Sequence, residues 1–286
     1  MINIIVALPA EARPLIAHYK LRNKQNSAAF PLYRSTDMAL IVSGPGKVSA
    51  AAATAVLAGS CDKNDHAAWL NIGISGHACR ATGKGLIAHR ITDSATGNSW
   101  YPPQTLDLSA PTDSLITVDQ PENDYPENVL YDMEASGFYP VACRFSTSEL
   151  VQCYKIVSDN RECSTRTVTA KLCEQLVAGN LDKINQLVIA LGELAQEYTA
   201  WHTPHAVLEQ ITGQWHFTVS QQHQLAQLVR RWQVLAPDQQ LQFSQLGTRK
   251  KAAEVLHYLE KHLDTLSVDL GKRRLMPAEQ QISTDV

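Results

Sequence analysis

Short apolar runs with strand character alternate with helical patterns over about the first 200 residues, and this alternation constrains the fold more than any other feature. The run from Asn3 to Leu8 precedes helical spacing from Glu11 to Tyr19, and the run from Met38 to Val42 precedes helical spacing from Lys47 to Leu57. Further strand-like runs cover residues 69–72, 85–91, 114–118 and 150–157. The alternation predicts an α/β domain with a mainly parallel sheet. In such sheets ligands bind beyond the carboxyl ends of the strands.

The sequence changes character after about residue 200 and becomes rich in glutamine with helical spacing of apolar residues, as at Leu225 and Leu228. We therefore predict two domains. The first is the α/β domain over residues 1–200, and the second is a small appendage of two or three helices over residues 201–286. A polar, disordered tail is expected after about Arg274.

The composition excludes some classes of function. Of the 286 residues, 44% are hydrophobic, which is enough for a sizeable core, and the formal net charge is only −3. This charge provides no general attraction to nucleic acid or to anionic membranes. The apolar stretch from Ile2 to Pro9 is too short for a signal peptide, and no apolar run reaches the roughly 18 residues of a spanning helix. We expect a soluble, cytoplasmic protein whose partner is a small molecule rather than nucleic acid or a membrane.

The six cysteines show no metal-ligand spacing. None forms a C-x-x-C pair, and the last four, from Cys143 to Cys173, fall ten residues apart. That spacing matches no zinc or iron–sulfur pattern. They are expected to be reduced thiols, and the sequence predicts no metal site.

Two acidic segments carry the clearest chemical signal. Asp132, Met133 and Glu134 precede a helical stretch, and Ser158 and Asp159 end an apolar strand-like run. One carboxylate can accept hydrogen bonds from two vicinal sugar hydroxyls above a methionine thioether, and a second acidic side chain, when protonated, can donate a proton. The pair therefore suits cleavage of a glycosidic bond to a heterocyclic base. The simpler alternatives are that the first acids favour a helix N-terminus and that Asp159 caps the next helix.

Two glycine-rich segments also follow strand-like runs. Residues 43–47, Ser-Gly-Pro-Gly-Lys, lie before an Ala-rich helix, where backbone N–H groups and the helix dipole can receive an anion or a ribosyl oxygen. They match neither a Walker A loop nor a dinucleotide fingerprint. Residues 71–77, Asn-Ile-Gly-Ile-Ser-Gly-His, follow the next run, and their glycines allow close approach to a ligand. His77 is expected to be a packed histidine rather than a catalytic one.

Together these four segments resemble the superfamily of purine nucleoside phosphorylases and methylthioadenosine/S-adenosylhomocysteine nucleosidases, over about residues 1–198. The resemblance implies a nucleoside phosphorylase-like fold, with a mixed, mainly parallel central sheet flanked by helices. It implies cleavage of the N-glycosidic bond of a purine nucleoside, with no metal or organic cofactor and with phosphate as a co-substrate only in a phosphorylase. It also implies a homo-oligomer.

The resemblance further implies roles for single residues. Glu134 matches the acid that binds the ribose hydroxyls, and Asp159 matches the general acid that assists departure of the base. Glu11 lies where nucleosidases carry the acid that activates water, and Lys155 lies where they carry an arginine of the sugar-side network. Beside the sugar and the attacking group, the resemblance places Ser43, Gly44, Ser75 and Gly76.

Some positions depart from the family pattern and bear on the nucleophile. Ile74 stands where nucleosidases usually carry serine, and Asn71 stands where hexameric phosphorylases carry arginine. The missing arginine and the presence of Glu11 favour water slightly over phosphate. Arg13, two residues further on, keeps a phosphate site open as the alternative.

The segment between His77 and Asp132 is shorter than in the family. Within it, Pro121 stands where nucleosidases place an aromatic residue that stacks on the base. Tyr125, Tyr131 or an aromatic residue of a partner subunit is then expected to supply the stacking surface.

The leading hypothesis is therefore a purine nucleosidase or nucleoside phosphorylase, with hydrolysis slightly favoured. The alternative is a catalytically degenerate protein that binds a nucleoside or base and uses the helical appendage for partner contacts. Tight purine binding without any product, unchanged on replacing Asp159 by Asn, distinguishes the second from the first.

Overall fold

The computed structural model describes two compact units, Met1–Trp201 and His202–Val286. The ranges it describes are residues 1–23, 29–60, 67–106, 110–202, 206–235, 246, 249 and 251–265. The predicted tail after Arg274 lies outside the described residues.

The first unit contains a sheet and the helices that cover it. Its strands are β1 (Ile2–Val6), β2 (Arg22–Asn23), β3 (Leu32–Arg34), β4 (Met38–Val42), β5 (Ala68–His77), β6 (Gly85–Asp93), β7 (Ser99–Trp100), β8 (Thr112–Thr117), β9 (Leu130–Asp132) and β10 (Val151–Asp159). Its helices are α1 (Pro9–His18), α2 (Lys47–Gly59), α3 (Ala135–Ala142), α4 (Ala170–Ala178) and α5 (Leu181–His202), with 3-10 turns at Ser148–Leu150 and Thr165–Thr167.

The sheet combines an open part with a closed ring of strands. β1 lies between β4 and β5 and is parallel to both, and β3 and β2 extend that edge in antiparallel fashion. β5 also pairs in parallel with β10 and in antiparallel fashion with β9. Because β10 pairs with β6, β6 with β8 and β8 with β9, these strands close on themselves. The longer pairings are parallel, so the predicted mixed, mainly parallel sheet flanked by helices is confirmed.

The core follows the two-residue period of the strands. Ile4 and Leu40 face one side of the sheet, where they pack in a cluster with Leu15 of α1. Ile5 faces the opposite side and packs in a second cluster with Phe138 of α3. Successive residues of a strand point to opposite faces, so a continuous apolar run such as β1 supplies both clusters. Each fully buried side chain of this size stabilises the fold by about 1.5–3 kcal/mol.

A close contact between α2 and α3 fixes the position of the first acidic segment. A Cβ atom on Gly137 would lie 1.9 Å from the carbonyl oxygen of Lys47, so only glycine permits this approach of the two helices. Gly46, which precedes α2, has φ 99°, a conformation that other residues rarely adopt. The close packing brings the start of α3, and with it Glu134, next to Gly46.

The second unit is helical and has its own core. Its described helices are α6 (Ala206–Gln214), α7 (Val219–Leu235) and α8 (Ala252–Thr265). Trp215, Leu225 and Leu259 are among the buried residues that form this core. None of the helices in the described part of the chain is long and apolar enough to cross a membrane.

Candidate active site

A cavity of about 230 Å³ lies where the carboxyl ends of β1, β5, β9 and β10 meet. Its volume is close to the lower end of the roughly 300–1,000 Å³ that small-molecule sites occupy. Six of the nine predicted site residues line it, namely Glu11, Ser75, Gly76, Met133, Glu134 and Asp159. These residues come from four separate segments of the chain, and the fold brings them to one place.

Glu134 lies at the cavity with 7% of its surface exposed. Its Oε1 accepts a hydrogen bond from the Gly46 N–H at 2.9 Å, and its Oε2 accepts one from the Met133 N–H at 3.3 Å. Burial raises the pKa of Glu134 to about 7, although the positive charge of Lys155 acts in the opposite direction. The remaining lone pairs of the carboxylate can accept hydrogen bonds from a ligand.

Asp132 stabilises the N-terminus of α3, which was the simpler role predicted for the acids of this segment. Its Oδ2 accepts a hydrogen bond from the Ala135 N–H at 2.9 Å, and its Oδ1 accepts one from the Thr117 hydroxyl at 2.7 Å. Glu134 occupies the position before α3 but makes no capping bond with its side chain. The two acids therefore have different surroundings, and Glu134 is the one held by the glycine-rich segment before α2.

Lys155 lies beneath the cavity and does not line it. Its Nζ lies 2.7 Å from Asp132 Oδ2, and its side chain is only 1% exposed. Burial alone lowers the pKa of this ammonium group, but the carboxylates of Asp132 and Glu134 outweigh burial and raise it. Lys155 therefore places a positive charge among the buried acids.

Glu11 is buried in the first turn of α1, which begins with Pro9. Its Oε2 accepts hydrogen bonds from the N–H groups of Ala7 at 3.0 Å and Leu8 at 2.8 Å, and its Oε1 accepts one from Ile74 at 2.9 Å. Burial raises the pKa of Glu11, while the three N–H groups and Lys155 act to lower it. A carboxylate offers about four acceptor positions, so one remains for a water molecule.

Asp159 is the last residue of β10 and is 5% exposed. Its Oδ1 accepts a hydrogen bond from the Ser158 hydroxyl, and its Oδ2 accepts one from Tyr125 and another from Thr165 at 3.0 Å. The next helical segment, Thr165–Thr167, is capped by the Ser164 hydroxyl. Asp159 is therefore not the cap of that segment.

The segment before α2 contributes less to the cavity than predicted. Pro45 lines it, but Ser43 and Gly44 do not. The Ser43 hydroxyl oxygen instead lies 2.7 Å from the carbonyl oxygen of Gly44 and 3.2 Å from that of Val6, and its single proton is shared between these two acceptors. These bonds join the turn to the end of β1, so Ser43 holds the backbone around the cavity.

Arg13, the predicted alternative for a phosphate site, and Lys47, the last residue of the first glycine-rich segment, both pair with acidic residues. Lys47 pairs with Asp93 at 3.0 Å and with Asp119 at 2.9 Å. Arg13 pairs with Glu174, and its side chain is 66% exposed. Neither lines the cavity, so neither is placed to hold a phosphate there.

The second glycine-rich segment was predicted to follow a strand, but it lies within β5. Pairing with β10 extends that strand through Gly76, and pairing with β9 covers Gly76 and His77. A Cβ on Gly76 would lie 2.6 Å from the Tyr125 ring, so glycine is required for close packing there. His77 is buried, accepts hydrogen bonds at Nδ1 from the Cys79 and Arg80 N–H groups, and does not line the cavity.

Residues of the shortened middle segment complete the cavity wall. Val118, Pro121 and Tyr131 line it, whereas Tyr125 is buried behind Asp159. Of the two tyrosines proposed as stacking surfaces, only Tyr131 is therefore placed to touch a ligand. Thr165, which also lines the cavity, was missed because no spacing pattern in the sequence relates it to Asp159.

Several solved structures are similar to this chain. A 5′-methylthioadenosine/S-adenosylhomocysteine nucleosidase from S. pneumoniae, solved with a transition-state inhibitor, is 20% identical with a TM-score of 0.52, covering 66% of this chain and 99% of that one. A 5′-methylthioadenosine nucleosidase from Arabidopsis thaliana is 16% identical with a TM-score of 0.56, covering 66% and 95%. The futalosine hydrolase of Helicobacter pylori is 14% identical with a TM-score of 0.50, covering 66% and 97%.

This chain has the nucleoside phosphorylase-like fold. The resemblance carried by the four motifs is thereby confirmed at the level of the fold. No protein-family model matches the sequence, and no curated protein matches it.

Proposed function

We propose that this protein hydrolyses the N-glycosidic bond of a purine nucleoside. The observation that carries the proposal is that Glu11, Glu134 and Asp159 line one cavity of about 230 Å³, although they are widely separated in the chain. The structural neighbours named above include two nucleosidases and a hydrolase, which supports a reaction of this class.

Each acid has a distinct role in the proposed reaction. Glu134 accepts hydrogen bonds from the ribose hydroxyls, with Met133 packed against the sugar. Glu11 takes a proton from water as the water oxygen bonds to the anomeric carbon. The carbon–nitrogen bond breaks and the base leaves with the electron pair. A proton from solvent then binds to the imidazole nitrogen, and the N–H group so formed donates a hydrogen bond to the Asp159 carboxylate. General acid–base catalysis of this kind contributes about 10²- to 10⁴-fold in rate.

The charges around the sugar support this assignment. The transition state carries positive charge on the sugar, so carboxylates beside the anomeric carbon stabilise it. Lys155, paired with Asp132 beneath the cavity, balances part of this negative charge without reaching the ligand. The proposed reaction requires neither a metal ion nor an organic cofactor.

Water is favoured over phosphate as the nucleophile because of the positions of the nearby cations. Arg13 points away to Glu174, and Lys47 is held by Asp93 and Asp119. Incubation of inosine, adenosine and 5′-methylthioadenosine with the protein, with and without phosphate, tests the choice. Free sugar at an unchanged rate is expected, whereas a sugar 1-phosphate that forms only with phosphate makes the protein a phosphorylase.

A binding protein without turnover is the second candidate, and one observation favours it. Three N–H groups occupy most of the acceptor positions of Glu11, and three hydroxyl groups occupy most of those of Asp159. In that case adenine or a nucleoside binds tightly, no base is released from any nucleoside, and Asp159→Asn changes nothing in a product assay. Release of base by the wild-type protein, and its loss in Asp159→Asn, excludes this candidate.

For either function we propose a homo-oligomer, as in the family that the motifs resemble.

A further inference from the structure

Tyr125 makes a contact that the roles assigned above leave unused. Its hydroxyl donates a hydrogen bond to Asp159 Oδ2 and lies 3.2 Å from the Thr165 hydroxyl oxygen. The side chain is 1% exposed and does not line the cavity. Its ring lies against Gly76, where a Cβ would come within 2.6 Å. Tyr125 therefore reaches the cavity only through Asp159.

The hydrogen bond has a fixed direction at neutral pH. Burial, together with Asp159, raises the pKa of Tyr125 to about 12. The phenol therefore keeps its proton and remains a donor, and Asp159 Oδ2 remains the acceptor.

The backbone at Tyr125 is also held in an unusual conformation. Its φ of 45° lies in the left-handed region, which bulky residues rarely adopt. Its carbonyl oxygen accepts a hydrogen bond from the Arg161 guanidinium at 2.5 Å. Tyr125 is thus fixed at both ends to the segment that carries Asp159, by its hydroxyl and by its carbonyl group.

The same loop also forms part of the cavity wall. Pro121 and Glu122, a few residues before Tyr125, line the cavity. The Glu122 Oε1 accepts hydrogen bonds from the N–H groups of Asn123 at 2.9 Å and Asp124 at 2.8 Å, which keeps this turn compact. The loop therefore connects the cavity wall at Pro121 to Tyr125, and Tyr125 contacts Asp159.

The donors around Asp159 determine which of its oxygens is available to a ligand. A carboxylate oxygen has two lone pairs. Those of Oδ2 are taken by Tyr125 and by Thr165, whereas among the residues that the structure describes Oδ1 accepts a hydrogen bond from the Ser158 hydroxyl alone. One acceptor position therefore remains, on Oδ1.

We propose, on the basis of the function proposed above, that Tyr125 is a positioning residue for Asp159. It occupies Oδ2 together with Thr165, turns Oδ1 toward the base, and couples the orientation of the carboxylate to the wall formed by Pro121 and Glu122. No new bond is made or broken by Tyr125, because its proton stays on the phenol throughout the reaction.

The first test is Tyr125→Phe, which removes the hydroxyl and keeps the ring against Gly76. The matched control is Tyr154→Phe, because Tyr154 is also fully buried and its hydroxyl donates at 2.9 Å to Asn180 rather than to Asp159. With the purine nucleoside that the wild-type protein cleaves, kcat is expected to fall about tenfold or more in Tyr125→Phe. KM is expected to change less than about twofold, and Tyr154→Phe is expected to keep the wild-type kcat.

Two more variants separate positioning from loss of stability. Adding Tyr125→Phe to Asp159→Asn is expected to cause no further loss of kcat, since Tyr125 acts only through Asp159. Arg161→Ala releases the Tyr125 carbonyl group while leaving the donors to Asp159 intact, and a smaller fall in kcat is expected. Melting temperatures of all variants show whether a loss of kcat merely follows a loss of folded protein.

The outcomes distinguish this inference from the proposed function. If the wild-type protein releases base and both Tyr125→Phe and Arg161→Ala turn over at the wild-type rate, the inference is overturned and the proposed function stands. If no nucleoside is cleaved, calorimetric titration with adenine tests whether Tyr125 positions Asp159 in a binding protein. Weaker binding in Tyr125→Phe than in Tyr154→Phe supports the coupling in a binding protein, and equal binding or no binding in any variant overturns it.

Discussion

Lys155 Nζ lies 2.7 Å from Asp132 Oδ2, and both side chains are shielded from solvent beneath the cavity. A buried ion pair gains little over apolar residues of the same size, but removing one partner leaves an uncompensated charge. The positive charge of Lys155 also acts to lower the pKa of Glu134 and that of Glu11. The lysine therefore offsets part of the negative charge of the buried acids.

Lys155→Met is expected to destabilise the protein by about 3–5 kcal/mol, because it leaves the Asp132 carboxylate buried without its partner. Urea unfolding at neutral pH measures the change. Arg13→Met is the control, since the Arg13 side chain is 66% exposed and that of its partner Glu174 is 33% exposed. A loss of stability for Lys155→Met no larger than that for Arg13→Met contradicts this role of the buried ion pair.

The pH dependence of stability follows from Glu134. Its pKa is raised from 4.5 to about 7 in the folded protein, so folding favours the protonated acid. The resulting stabilisation is complete below about pH 4.5 and is lost as the pH rises through about 7. We expect the unfolding free energy of wild type to fall relative to that of Glu134→Gln across this window, by on the order of 3 kcal/mol. A pH-independent difference between the two proteins contradicts this origin of the raised pKa.

The alternation of strands and helices was readable from the sequence because buried parallel strands are continuous apolar runs. The predicted strand from Met38 to Val42 has the bounds of β4, and the predicted helix from Lys47 to Leu57 differs from α2 only at its end. The strand predicted at Trp69–Ile72 ends too early, because the glycines that follow favour a turn locally. Pairing with β10 and β9, which are distant in sequence, overrides that preference.

The acids of the site were predicted from motifs, but their surroundings were not. Hydrogen bonds from Gly46 to Glu134 and from Tyr125 to Asp159 join residues 88 and 34 positions apart. Such contacts depend on how the helices and loops pack, and no local pattern specifies them. For the same reason the sequence placed Ser43 at the ligand, whereas the structure turns its hydroxyl to the backbone of β1.

The packing of α2 against α3 is expected to tolerate no side chain at Gly137. In Gly137→Ala the new Cβ meets the Lys47 carbonyl oxygen at 1.9 Å, and backbone atoms cannot move aside as a flexible side chain can. Overpacking of this kind costs about 1–3 kcal/mol. Because the helices must separate, the bond from Gly46 to Glu134 lengthens, and nucleoside affinity is expected to fall as well.

Gly59→Ala is the control for that substitution. Gly59 is the last residue of α2, and a Cβ there meets nothing within 4 Å. The unfolding free energy of the Gly59→Ala variant is expected to differ from that of the wild-type protein by less than about 1 kcal/mol. Thermal unfolding of both variants gives the comparison, and equal melting temperatures contradict the close approach of the two helices.

Glu11→Gln tests whether this acid is a base or only part of the first turn of α1. The amide keeps the size of the carboxylate but cannot take a proton from water, so kcat for nucleoside hydrolysis is expected to fall about 10²-fold or more. Nucleoside affinity is expected to change little, because the ribose hydroxyls bind to Glu134. Glu174→Gln, on the outer surface of α4, is the control and is expected to keep the wild-type rate. If Glu11→Gln hydrolyses nucleosides at the wild-type rate, Glu11 is a structural residue that accepts hydrogen bonds from three backbone N–H groups. Another group must then activate water.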